Sequence, residues 1–177
     1  SIMNVAQPIE WTAQGVVMLD QRRLPGEVIR HTYTDYRDIA AAIKDMVIRG
    51  APAIGVAAAM GVALGVERSK AQSPEELRAE FPSICQTIAQ TRPTAVDLFW
   101  AIDRMKRRFA QLEATSAPLD AVRRAMVEEA RAVHAEKRAT DEAIGRFGAE
   151  LMPLKGQVMT QCNAGALATA GIGSALG

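Results

Sequence analysis

Residues 51–66 are sixteen consecutive positions without a charge, set between Arg49-Gly50 and Glu67 and made mostly of alanine and glycine. A membrane-spanning helix needs about 20 strongly apolar residues, so this run is too short and too weakly apolar to span. Gly61 and Gly65 form a GxxxG pair, which in a water-soluble chain marks close helix packing. A helix with no charged face has none to give to water. The run is therefore expected to be a buried helix around which the rest of the domain is arranged.

The wider composition agrees with a packed domain. Of 177 residues, 49% are apolar, which is far too many for a disordered segment. The net charge of +1 gives no general attraction to nucleic acid or to an anionic membrane. Cys85 and Cys162 stand 77 positions apart without a CxxC, and His31 and His134 are equally scattered. Neither a disulfide framework nor a metal site is expected. Residues 1–11 lack the basic and apolar regions of a signal peptide, so the expected location is cytoplasmic.

Apolar runs separated by turn residues predict a small antiparallel sheet between Ile9 and Tyr33, with one strand in Gly15–Asp20 and another in Glu27–Tyr33. Ile39, Ile43, Met46 and Val47 recur at helical spacing and predict a helix opened by Asp35-Tyr36 and stopped at Arg49-Gly50. Ser73-Pro74-Glu75-Glu76 is a strong helix start. Thr91-Arg92-Pro93 is read as another, leading a helix whose apolar residues are Val96, Phe99, Trp100, Ile102 and Met105. Residues 101–150 hold 19 of the charges, with mixed signs, and residues 121–148 read as a long, exposed helix able to connect two domains. The basic run Lys106-Arg107-Arg108 is read as a solvated face, since no aromatic stacking platform accompanies it.

Composition then shifts. From residue 151 onward Lys155 is the only charge, and Gln157–Thr160 is strand-like, followed by a Gln161-Cys162-Asn163-Ala164-Gly165 loop and a helix rich in alanine and glycine. This is the opening strand, turn and helix of a Rossmann-like parallel α/β sheet. One such unit cannot cover both faces of a parallel strand, so the second domain is expected to be truncated here. The fold class is thus α/β overall. A sheet-plus-helices domain is expected over residues 1–120, a connecting helix over 121–155, and the first strand-turn-helix of the second domain over 156–177.

Three places can carry chemistry. Arg49-Gly50-Ala51-Pro52 puts a guanidinium beside a helix amino terminus, where unpaired N–H groups favour an anion, and Arg92-Pro93 repeats the arrangement. Cys162 stands between a strand end and a helix start, where helix N–H groups stabilise a thiolate; an inert buried cysteine is the equal alternative there. Cys85, inside a helix, is read as structural. The glycine-rich run from Gly165 to Gly173 has the wrong spacing for a dinucleotide fingerprint.

Arg49-Gly-Ala-Pro-Ala-Ile-Gly55, Thr91-Arg-Pro-Thr-Ala-Val-Asp-Leu98 and Thr160-Gln-Cys-Asn-Ala-Gly-Ala-Leu-Ala-Thr169 together resemble the signatures of the S-methyl-5-thioribose-1-phosphate isomerase family. That family shares a superfamily with regulatory subunits of a translation-initiation exchange factor. Gln161 stands where the family usually has histidine and Ala164 where it has threonine. The resemblance implies aldose–ketose isomerisation of a small sugar phosphate in methionine salvage, without a cofactor, metal, nucleic acid or membrane, by a homodimer. It implies that Cys162 is catalytic and that Arg49, Gly50, Ala51 and Arg92 bind substrate. It also implies a chain about twice this length, with the proton-donating aspartate in the remainder. Ribose-1,5-bisphosphate isomerase and a non-catalytic regulatory subunit are the alternative readings.

Overall fold

The computed structural model describes the backbone of residues 7–151 and the side chains of residues 7–145. Strands β1 (Ile9–Trp11), β2 (Val16–Leu19) and β3 (Arg30–Tyr33) form an antiparallel sheet in the order β1-β2-β3. The register pairs Ile9 with Met18 and Met18 with His31. A short 3-10 turn, Gln21–Arg23, follows β2. Five helices complete the order: α1 (Tyr36–Lys44), α2 (Ala51–Glu67), α3 (Pro74–Ala89), α4 (Val96–Ala114) and α5 (Leu119–Leu151). The small sheet and the buried central helix match the sequence reading.

Helix α2 is the axis of the molecule. Every residue from Ala53 to Val66 is buried, and α1, α3, α4, α5 and β1 all pack against it. The glycine pair explains how they come so close. A Cβ on Gly61 would lie 2.8 Å from Ile88 Cδ1, and one on Gly65 would lie 2.6 Å from Ile84 Cγ2. Small residues here let the isoleucines of α3 sit against the α2 backbone.

Local chemistry sets the helix ends. Asp35 caps α1 by accepting from the Arg37 N–H, and Ser73 caps α3 by accepting from the Glu76 N–H. The end of α1 departs from expectation. The helix stops at Lys44, and Met46 adopts a left-handed φ of 63° with its side chain exposed. The Met46 N–H donates to Ile43 and the Val47 N–H to Ala42, a Schellman closure in which a methionine takes the usual glycine position. Only Val47 and Ile48 then return to the core. Ser116, at φ 52°, closes α4 in the same way.

Two further expectations are corrected. Thr91-Arg92-Pro93 does not start a helix; the chain makes a turn, with the Ala95 N–H donating to Arg92 O at 3.0 Å, and α4 begins at Val96. Val96, Phe99 and Trp100 are exposed, while Leu98, Ala101, Ile102, Met105, Phe109 and Leu112 form the buried face of α4. The long helix is present, but its first half is no free-standing connector. Val122, Met126, Ala130 and Val133, at helical spacing, are buried on α5. Arg104 of α4 fastens α5 from outside through Glu129, at 2.9 Å, and Glu136. Lys106 and Arg107 are exposed and Arg108 half-buried, as a solvated basic face requires.

Candidate functional site

The segment joining α1 to α2 carries Arg49, Gly50 and Ala51. Gly50 has φ 95° and ψ 138°, a region that residues with a Cβ rarely enter. It is the N-cap of α2 and offers no side chain to bond the first-turn amides. The first helical bond is the Ile54 N–H to Gly50 O, at 2.9 Å, and Pro52 has no N–H at all. The amides of Ala51 and Ala53 therefore head the helix with no i−4 partner, at its positive end. Arg49 is exposed and makes no hydrogen bond or ion pair among the described residues. A cation and a bare helix start thus stand side by side.

Arg92 reaches the same end of the bundle by a different route. Its turn follows α3 and leads into α4, whose first residues touch α2: a Cβ on Gly55 would lie 3.2 Å from Asp97 O. Gly55 is one turn from Ala51, about 6 Å along the helix, and Asp97 is five residues from Arg92. The two arginine segments therefore belong to neighbouring corners of one helix pair. Arg92 is half-buried, and its Nη1 is fully buried without a hydrogen-bond partner. An unsatisfied guanidinium nitrogen is costly in a folded protein and is well suited to an anion that completes it.

A second layer beside these groups was not visible in the sequence. Lys137 of α5 lies 3.7 Å from Asp97 and 4.4 Å above the Trp100 ring. The lysine ties the start of α4 to α5 from forty residues away, a pairing that no local spacing reveals. One turn beyond Lys137, Asp141 is only 3% exposed.

Cys162 lies outside the described residues, as do the expected strand, turn and helix of residues 156–177. Cys85 is buried on α3, where desolvation pushes its thiol up to about 12, so it is not a nucleophile at neutral pH. Among the described residues no cluster of histidine, cysteine, aspartate or glutamate is arranged to hold a metal ion, and no helix is long and apolar enough to cross a membrane.

A family model described as the initiation factor 2 subunit family matches residues 47–176, a span that includes both arginine segments and Cys162. Methylthioribose-1-phosphate isomerases of Koribacter versatilis and Geobacter sulfurreducens are 54% and 53% identical over 98% and 96% of this chain. The chain spans about half the length of these curated relatives, 49% and 48% respectively. Among solved structures, 5-methylthioribose 1-phosphate isomerase from Pyrococcus horikoshii is similar at a TM-score of 0.86 and 39% identity, over 97% of this chain and 48% of that one. Subunit delta of the translation initiation factor eIF-2B from A. fulgidus is similar at 0.82 and 31% identity, over 96% of this chain and 50% of that one. With a small sheet ahead of a buried Ala/Gly helix, and a family match over most of its length, the chain belongs to the initiation factor 2 subunit family.

Proposed function

We propose that the protein carrying this chain is an aldose–ketose isomerase that converts S-methyl-5-thioribose 1-phosphate to S-methyl-5-thioribulose 1-phosphate. The observation that carries this reading is the identity of about half the residues with isomerases of that name over nearly the whole chain. The substrate has its anomeric oxygen esterified to phosphate, so its ring cannot open to a free aldehyde. An acid must protonate the departing ring oxygen, after which hydrogen moves from C2 to C1 and a carbonyl forms at C2. The reaction is internally balanced and needs no external oxidant or reductant.

In this reading Arg49, Arg92 and the Gly50–Ala51 amides hold the phosphate, which would satisfy the bare helix start and the partnerless Arg92 Nη1. Cys162, from the loop at the start of the second domain, stabilises the transition state, and an aspartate beyond residue 177 donates the proton. Residues 1–120, 121–155 and 156–177 serve as amino-terminal domain, connecting helix and first unit of a Rossmann-like domain. The working form is a cytoplasmic homodimer that binds neither nucleic acid nor a cofactor. The A. fulgidus structure favours a second reading, a regulatory subunit without catalysis. A panel of methylthioribose 1-phosphate and ribose 1,5-bisphosphate, supplied to the full-length protein, separates the possibilities. Turnover of the first is expected. Turnover of the second alone would identify the sister enzyme, and turnover of neither would leave the regulatory reading.

A further inference from the structure

A second group of charged side chains lies at the sheet. Asp20, at the end of β2, is 1% exposed. Its Oδ1 accepts from the Arg22 backbone N–H and from Arg22 Nε, both at 3.0 Å. Its Oδ2 accepts from Arg22 Nη2 at 2.8 Å and stands 2.9 Å from His31 Nε2. Both carboxylate oxygens are doubly engaged, and the turn of Gln21–Arg23 is clamped to β3. The Asp20 backbone adds a bond of 2.8 Å to Ile29 O.

That turn touches the segment leading to Arg49. Gln21 is 6% exposed, and its backbone N–H donates to Val47 O at 2.9 Å. Among the described backbone hydrogen bonds it is the only one joining residues 45–50 to an element other than the helices they connect. The Asp45, Met46 and Val47 amides close the end of α1, and Gly50 O points forward into α2. Burial fixes α2 itself as well as Val47 and Ile48. What burial leaves free is the exposed Arg49 and the Gly50 peptide, two and three residues past the tethered carbonyl.

We propose that Asp20 is a positioning residue: its carboxylate locks the Gln21–Arg23 turn, and the Gln21–Val47 bond passes that constraint to Arg49 and the α2 amino terminus. The inference rests on the phosphate-binding reading of Arg49. The substitution Asp20→Asn preserves shape but sets an amide against Arg22 or His31, which breaks the clamp. In the full-length protein it should raise KM for methylthioribose 1-phosphate about tenfold and change kcat by less than about twofold, the pattern of lost binding. Simple destabilisation would instead lower the active fraction, and with it kcat, at unchanged KM. Added to Arg49→Ala, Asp20→Asn should raise KM by no more than about twofold, because the group it positions is gone.

A fall in kcat at constant KM, or KM effects that multiply in the double variant, would overturn the proposal. If Asp20→Asn does not fold, Arg22→Gln opens the clamp from its other side and is judged by the same criteria. Hydrogen exchange decides the matter without substrate. Faster exchange at the Gln21 and Arg22 amides together with amides 47–51 in the folded variant, the rest of the fold being unchanged, supports the proposal, and unchanged exchange at 47–51 refutes it. A wild-type protein that turns over no sugar phosphate would defeat the substrate reading alone, with the exchange result still deciding the role of Asp20.

Discussion

Replacing Gly65 with alanine sets two effects of opposite sign against each other. Inside a helix, alanine is favoured over glycine by about 1 kcal/mol, and the new methyl group, being buried, adds about 0.8 kcal/mol of transfer free energy. Against this, the Cβ would lie 2.6 Å from Ile84 Cγ2, 3.2 Å from Ile84 Cδ1 and 3.1 Å from Tyr36 Cδ1. Carbon atoms settle at roughly 3.5–4.0 Å, so the closest approach falls short by about 1 Å. Ile84 is fully buried and Tyr36 nearly so, which leaves neither a free direction in which to move. Overpacking of this depth belongs at the upper end of the usual range, about 3 kcal/mol. The steric cost wins, and Gly65→Ala should destabilise by about 1–2 kcal/mol. Urea unfolding of the full-length protein, with an unchanged m-value, measures the shift. Ile84→Ala removes the obstructing atoms, so it should cost at least about 1 kcal/mol less in the Gly65→Ala background than alone. A Gly65→Ala protein as stable as wild type, or strictly additive losses in the pair, would refute the close-packing account.

Met46→Gly and Ser116→Gly act in the opposite direction. Both positions are exposed with left-handed φ, and relief of that strain, less the extra unfolded-state entropy of glycine, should raise stability by roughly 0.5–1 kcal/mol each in the same urea assay. Alkylation near neutral pH should modify Cys162 before Cys85, whose thiol is held at about 12, and sugar phosphate should slow the first reaction; mass mapping that finds Cys85 labelled first would contradict it. The hydrogen bonds from Arg22 hold the Asp20 carboxyl well below the usual carboxylate range, against the opposing pull of burial. A depressed folded pKa stabilises above the unfolded value, near about 4, and that contribution is lost as pH falls toward the folded one. Acid unfolding should therefore be shallower below about pH 4 in Asp20→Asn than in wild type.

What the sequence made legible, and what it hid, follows from where the deciding contacts lie. The central helix could be read because sixteen uncharged positions admit one physical solution, burial on every side. The start of α3 could be read because Ser73, Pro74 and Glu76 each act on backbone groups within one turn. Pro93 does not mark a helix start, for a reason of the same locality. A fixed φ near −65° suits both the first turn of a helix and the second position of a β-turn, so residue type alone does not choose between them. On α4 the apolar residues cover more than one face, and three- and four-residue spacing fits Phe99 and Trp100 as well as Ile102 and Met105. The neighbours decide which face is inside: α2, α3 and α5 all pack against α4, and Phe81 of α3 stacks on Phe109 at 3.9 Å. The same distinction runs through the site. Arg49-Gly50 and Arg92 stand out in the sequence because Pro52 and Pro93 follow within three residues, a local mark. The contact that brings their helices together lies across 42 residues of sequence, and the His31 partner of Asp20 is reached only once the β2–β3 register is set. The residues proposed to touch a ligand carry local marks in the sequence, whereas those proposed to hold them in place depend on pairings made by the fold.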